Sequence, residues 1–137
     1  MLFSFGRSLA ALLVVLAFAG AAAGEDAIHE RGAQVWADAG CSGCHGRSGQ
    51  GGTNPDQPAG PSLRSPDITR EGLIDAISCG RPATQMPAWR TGAYTEVQCY
   101  GLDLGPAPGG TIVAGLYSAE DIDALADYII TEFWQAN

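Results

Sequence analysis

The sequence predicts an all-α fold, with three to four helices joined by loops and wrapped round one covalently held group. Three observations carry this expectation. Apolar residues recur at helical spacing in three separate stretches, while no run alternates convincingly as a sheet would. Gly- and Pro-rich segments divide those stretches. A short pentapeptide, Cys41-Ser42-Gly43-Cys44-His45, follows the first of them.

Taken in chain order, residues 1–24 read as a secretory leader. Arg7 gives the positive start, Leu9 to Ala19 the apolar run, and Ala21-Ala22-Ala23-Gly24 a small-residue cleavage zone. The apolar run is short for a membrane span. Cleavage after Ala23 or Gly24 leaves a mature chain of about 113 residues, 25–137, one domain by size. Ala27 to Ala39 reads as a helix with Ile28, Gly32, Val35 and Trp36 near one face, ended by Gly40. Gly46 to Pro66 reads as loop. Thr69 to Ser78 is a short helix with Leu73, Ile74 and Ile77 apolar, stopped by Gly80 and Pro82. Residues 91–117 are irregular. Ser118 then caps a last helix, with Asp121 in a capping-box position and Ile122, Leu125, Ile129 and Phe133 as its stripe.

The pentapeptide is the attachment signature of a c-type haem. Cysteines one helical turn apart lie on one face, from which both sulfurs reach the two vinyl groups of one haem. The following His45 is then held against the iron as an axial ligand. A zinc half-site would need a second ligand pair at short spacing, and Cys79 and Cys99 are far apart. A dithiol redox motif would sit in a βαβ pattern, which is absent nearby. Met86, the one methionine after the leader, is the candidate sixth ligand, since a soft thioether favours Fe(II). Core filler is the alternative role for it. His29 lies on the first helix, well before the motif, and reads as a solvated side chain. A backbone carbonyl near Pro61 is able to accept the Nδ1–H of His45 and orient it; a plain turn proline is the alternative.

The chain carries seven basic groups, all Arg, against fifteen acidic ones, a net charge of −8. This disfavours nucleic acid and anionic lipid. It suits docking on a positively charged protein, or simple solubility.

In the order Gly32, Val35-Trp36, Cys41-Ser42-Gly43-Cys44-His45-Gly46, Gly60-Pro61-Ser62-Leu63, Met86-Pro87-Ala88-Trp89 and Leu125-Ala126-Asp127-Tyr128-Ile129, the chain resembles class I (mitochondrial-type) cytochromes c. The likeness is strongest to the small bacterial periplasmic monohaem members. It implies the cytochrome c fold, with the first and last helices crossing near Gly32 and Tyr128. It also implies haem binding by Cys41 and Cys44, iron ligation by His45 and Met86, and support of His45 by the Pro61 carbonyl. The implied activity is one-electron transfer in the periplasm, with no catalysis of its own. The implied partners are a dehydrogenase, an oxidase or a membrane electron-transfer complex.

The departure from the family is the insert 91–117 before the last helix. It contains Cys99, and Cys79 precedes the Met86 loop. In an exported protein a Cys79–Cys99 disulfide closing a loop round Met86 is expected, with two unpaired buried thiols as the alternative. Arg81, Trp89, Tyr94 and Tyr100 flank this region as candidate donors to a haem propionate, or as ordinary packing. Two further functions compete: a cytochrome subunit of a larger dehydrogenase, and a ligand-binding or peroxidase-like haem protein with Met86 displaced.

Overall fold

The computed structural model describes residues 24–52, 56, 58–64 and 67–134. The leader therefore lies, except for Gly24, outside the described residues.

Helix α1 covers 24–38, and its inward face buries Val35 and Trp36. Gly40, in a left-handed conformation at φ 65°, turns the chain directly into the short helix α2, Cys41–His45. Helix α3 spans Arg70–Cys79. Thr69 caps it by accepting the Gly72 N–H, and Leu73, Ile77, Ser78 and Cys79 are buried. Helix α4 spans Ala119–Ile129 and continues into a π-helical turn, Ile130–Trp134. Its start is the capping box read from the sequence. The Asp121 N–H donates to Ser118 Oγ at 3.2 Å, and the Ser118 N–H donates to Asp121 Oδ2 at 3.0 Å.

The main core joins Val35 and Trp36 of α1, Leu73 and Ile77 of α3, and Ile122, Leu125, Ala126 and Ile129 of α4, closed by Phe133. Gly32 lets α1 and α4 approach. A Cβ built there would lie 2.2 Å from Ala124 O and 2.6 Å from Tyr128 Cβ. Ion pairs flank these contacts: Arg31 with Asp121 at 2.7 Å, and Arg70 with Asp127 at 2.7 Å. Trp36 packs against Phe133, ring centroids 5.0 Å apart.

One expectation is corrected. The insert region is not sheet-free: strand β1, Ala88–Arg90, pairs in parallel with strand β2, Val113–Tyr117. The register slips between Ala88↔Val113 and Arg90↔Tyr117, and Gly115 sits at φ 62°. A three-residue strand and a partner interrupted by a glycine leave too little alternation for a sequence pattern to display. Parallel strands need a long connection, and most of the insert is that connection.

The insert also builds a second small core of Cys79, Ala88, Ala93, Tyr94 and Cys99, packed by Ala107. The Cys79–Cys99 disulfide is formed at its centre. Tyr94, 2% exposed, donates its hydroxyl to Cys79 O at 2.9 Å. Its own backbone accepts from Gly105 N–H at 2.8 Å and donates to Val97 O at 2.9 Å.

Candidate functional site

Between α1, α2, α3, α4 and the chain that follows α3 lies a largely apolar cavity of 770 Å³. Trp36, Leu73, Ile77, Leu125 and Ile129 line it from the core side. Cys41, Cys44 and His45 line it from α2, Pro61 from the loop after α2, and Met86 from the strap between α3 and β1. All five residues singled out for the cofactor thus meet at one cavity.

Each is held by local structure. The α2 turn puts Cys41 and Cys44 one turn apart, and neither is in a disulfide. Burial pushes the Cys41 thiol up to about 12, so it is neutral. His45 Nδ1 donates to Pro61 O at 2.9 Å, which leaves Nε2 as the nitrogen with the free lone pair. The loop is drawn onto α2 by Gly60 N–H to Cys44 O at 2.9 Å and Gly51 N–H to His45 O at 2.8 Å. Gly60 has to be glycine: a Cβ there would lie 2.8 Å from the imidazole ring of His45. Met86 is half-buried in the strap. Its N–H donates to Thr84 Oγ1 at 3.1 Å and its carbonyl accepts from Arg81 N–H at 3.0 Å. Thr84 Oγ1 in turn donates to Arg81 O at 2.7 Å. This Thr84 brace escaped the sequence reading, although a Thr two residues before the Met was its visible sign.

The insert buttresses the strap from outside. Ala83 N–H donates to Gly110 O at 3.1 Å, and Ala88 N–H to Ile112 O at 2.8 Å. Gly80 is packed so closely that a Cβ would lie 2.5 Å from the Pro87 and Ala88 backbone.

Four residues were candidates for a propionate, and they divide. Arg81 and Trp89 line the cavity. Tyr94 and Tyr100 do not: their hydroxyls donate to Cys79 O and Gly80 O at the end of α3, where they clamp the insert. His29 bonds Glu132 at 2.9 Å and packs on Tyr128, so it serves the outer faces of α1 and the π-helical turn. No group of three or more His, Cys, Asp or Glu able to hold a metal ion occurs among the described residues, and Cys79 and Cys99 are spent on each other, so no zinc site assembles round the motif.

The residues present fit a covalent haem. The wall is apolar, the donors are one imidazole nitrogen and one thioether, and two unpaired thiols stand on the same helix turn. The cavity also has the size of a cofactor site.

Residues 27–102 match the family model described as cytochrome C oxidase, cbb3-type, subunit III. Among solved structures, that of an oxidized c6-type cytochrome from Arabidopsis thaliana is similar, with 25% identity over 74% of this chain and 86% of that chain and a TM-score of 0.47. No curated protein matches the chain.

Proposed function

Because the chain belongs to the c-type cytochrome family of that cbb3-type subunit III model, and so carries a covalently bound haem c, we propose that it is a periplasmic one-electron carrier with His45 and Met86 as iron ligands. It carries electrons and is not an enzyme in its own right. The observation that supports this best is the meeting of His45, Met86 and the two free thiols at one apolar cavity.

The haem supplies a one-electron Fe(III)/Fe(II) couple when bound. Cys41 and Cys44 tether it through their sulfurs. His45 presents Nε2, with its ring orientation held by the Pro61 carbonyl. Met86 presents a soft thioether, which favours Fe(II) and raises the potential. The Thr84 brace and the disulfide-bound insert keep the Met86 strap in place. The apolar wall keeps water away, so the surroundings of the metal rearrange little between the two oxidation states.

In this reading residues 1–24 are removed on export, and 25–137 form a class I monohaem domain with 91–117 as its insert. No helix among the described residues is long and apolar enough to cross a membrane. The acidic surface, with net charge −8 in the full sequence, draws a basic partner face with salt-sensitive association. That partner is a dehydrogenase, an oxidase or a membrane electron-transfer complex.

The test is the optical spectrum of the matured protein, oxidised and reduced, with carbon monoxide added to the reduced form. A low-spin c-type spectrum, a weak red thioether–iron band and no response to carbon monoxide are expected. A high-spin spectrum or ready carbon monoxide binding would overturn Met86 ligation and shift the weight to a ligand-binding or peroxidase-like role.

One observation favours a second reading, a cytochrome subunit of a larger dehydrogenase complex. Of the seven exposed large hydrophobic residues described, six belong to the insert: Tyr100, Leu102, Leu104, Ile112, Val113 and Leu116. Such a concentration fits a permanent interface. Stable co-purification with a dehydrogenase would select it over a free carrier.

A further inference from the structure

We propose that Arg81 anchors a haem propionate and is thereby a positioning residue for the cofactor; this deepens the reading of the cavity as a His45/Met86 haem site and rests on it. Haem is an apolar ring with two carboxylates on one edge. Its pocket needs an apolar wall and, at one end, a cationic donor.

The cavity has that polarity. Among its described lining residues there is one guanidinium, Arg81, and one carboxylate, Asp67. They flank opposite ends of α3, Arg70–Cys79, a helix of 10 residues. At the α-helical rise this separates the two ends by about 15 Å. A carboxylate is repelled at the Asp67 end and drawn to the Arg81 end. The Arg81 end also supplies neutral donors, since Thr84 and Gln85 of the same strap line the cavity.

Arg81 is held by its backbone and free at its head. Its N–H donates to Met86 O at 3.0 Å, and its carbonyl accepts from Thr84 N–H at 3.1 Å. Its side chain forms no ion pair among the described residues, whereas Arg31 is paired with Asp121 and Arg70 with Asp123 and Asp127. Arg81 therefore has all its donors available, in the planar fork that grips a carboxylate with two parallel bonds. Because its backbone bonds directly to Met86, it couples the propionate edge to the strap that carries the thioether. A propionate left without its cation adds uncompensated negative charge beside the iron and favours Fe(III).

The experiment compares the matured holoprotein with Arg81→Gln, Arg81→Lys and, as a control for loss of one positive charge outside the cavity lining, Arg90→Gln. Resonance Raman spectroscopy reads the propionate-bending band, and spectroelectrochemical titration reads the midpoint potential. Arg81→Gln is expected to move the band and lower the midpoint. Arg81→Lys is expected to recover most of the midpoint but not the band position, and Arg90→Gln to change neither. An unmoved band in Arg81→Gln, or an equal fall in midpoint in Arg90→Gln, would overturn the proposal. Failure of the His45/Met86 reading is seen separately, as a missing thioether–iron band in the unsubstituted protein.

Discussion

At the scale of single residues, the tightest constraint outside the cavity is Gly32. Replacing glycine by alanine inside an exposed helix ordinarily gains about 1 kcal/mol. Here the new Cβ would stand 2.2 Å from the Ala124 carbonyl oxygen, a backbone atom that moves only if α4 moves with it. Overpacking of that kind costs about 1–3 kcal/mol, so the steric term outweighs the propensity gain. Gly32→Ala is therefore expected to lower the guanidinium unfolding midpoint of the matured protein, and a raised midpoint would mean that the two helices do not meet there. Gly32, His45 and Pro61 were legible because each serves one local demand: close approach, ligation, or a carbonyl at a turn. Tyr94 and Tyr100 were not. Both sit in left-handed backbone, at φ 68° and φ 55°, and both spend their hydroxyls on carbonyls at the end of α3. Nothing in the residues around them announces a partner 15 and 20 positions upstream.

Among the elements, α4 shows how local signals and tertiary contacts combine. Ser118 and Asp121 close the capping box, and Asp121 also meets Arg31 of α1 at 2.7 Å. The Ser118 backbone N–H, with Arg31 beside it, holds the Asp121 carboxyl below its ordinary range. A carboxylate with a lowered folded pKa adds stability above its unfolded value and loses it as the pH falls through the folded one. The unfolded value of Asp is about 3.9, so this contribution disappears in the acid window below about pH 4. Urea midpoints measured between neutral and acid pH are expected to fall more gently in Asp121→Asn than in the unsubstituted protein; parallel curves would remove Asp121 from the acid response. Ser118→Ala is expected to cost about 1 kcal/mol at neutral pH, read from the same midpoints. This helix was legible from sequence because caps and apolar stripe are both local. The β1–β2 pair was hidden, since its order comes from a distant strap, a disulfide and bonds such as Ala88 N–H to Ile112 O at 2.8 Å. A Gly- and Pro-rich stretch reads as loop when its organisation is supplied by such long-range partners.

For the molecule as a whole, the cavity and the main core share their walls. Trp36, Leu73, Ile77, Leu125 and Ile129 belong to the buried cluster and line the 770 Å³ space as well. Three helices consequently meet on one another over only part of their apolar faces, and the rest of each face is directed at the cofactor. A mature chain of about 113 residues is near the size at which a single core is already marginal, and losing the contacts of so large an apolar wall is not offset by anything else in the fold. The disulfide and the Tyr94 cluster stabilise the strap and the insert, but they lie outside this core. The double variant Cys41→Ala/Cys44→Ala, expressed and exported without an attached haem, is therefore expected to keep helical far-ultraviolet circular dichroism while losing fixed near-ultraviolet signals and a sharp urea transition. If it instead unfolds cooperatively with intact near-ultraviolet bands, then α1, α3 and α4 close on each other unaided, and the cavity wall is not what makes the fold depend on its cofactor.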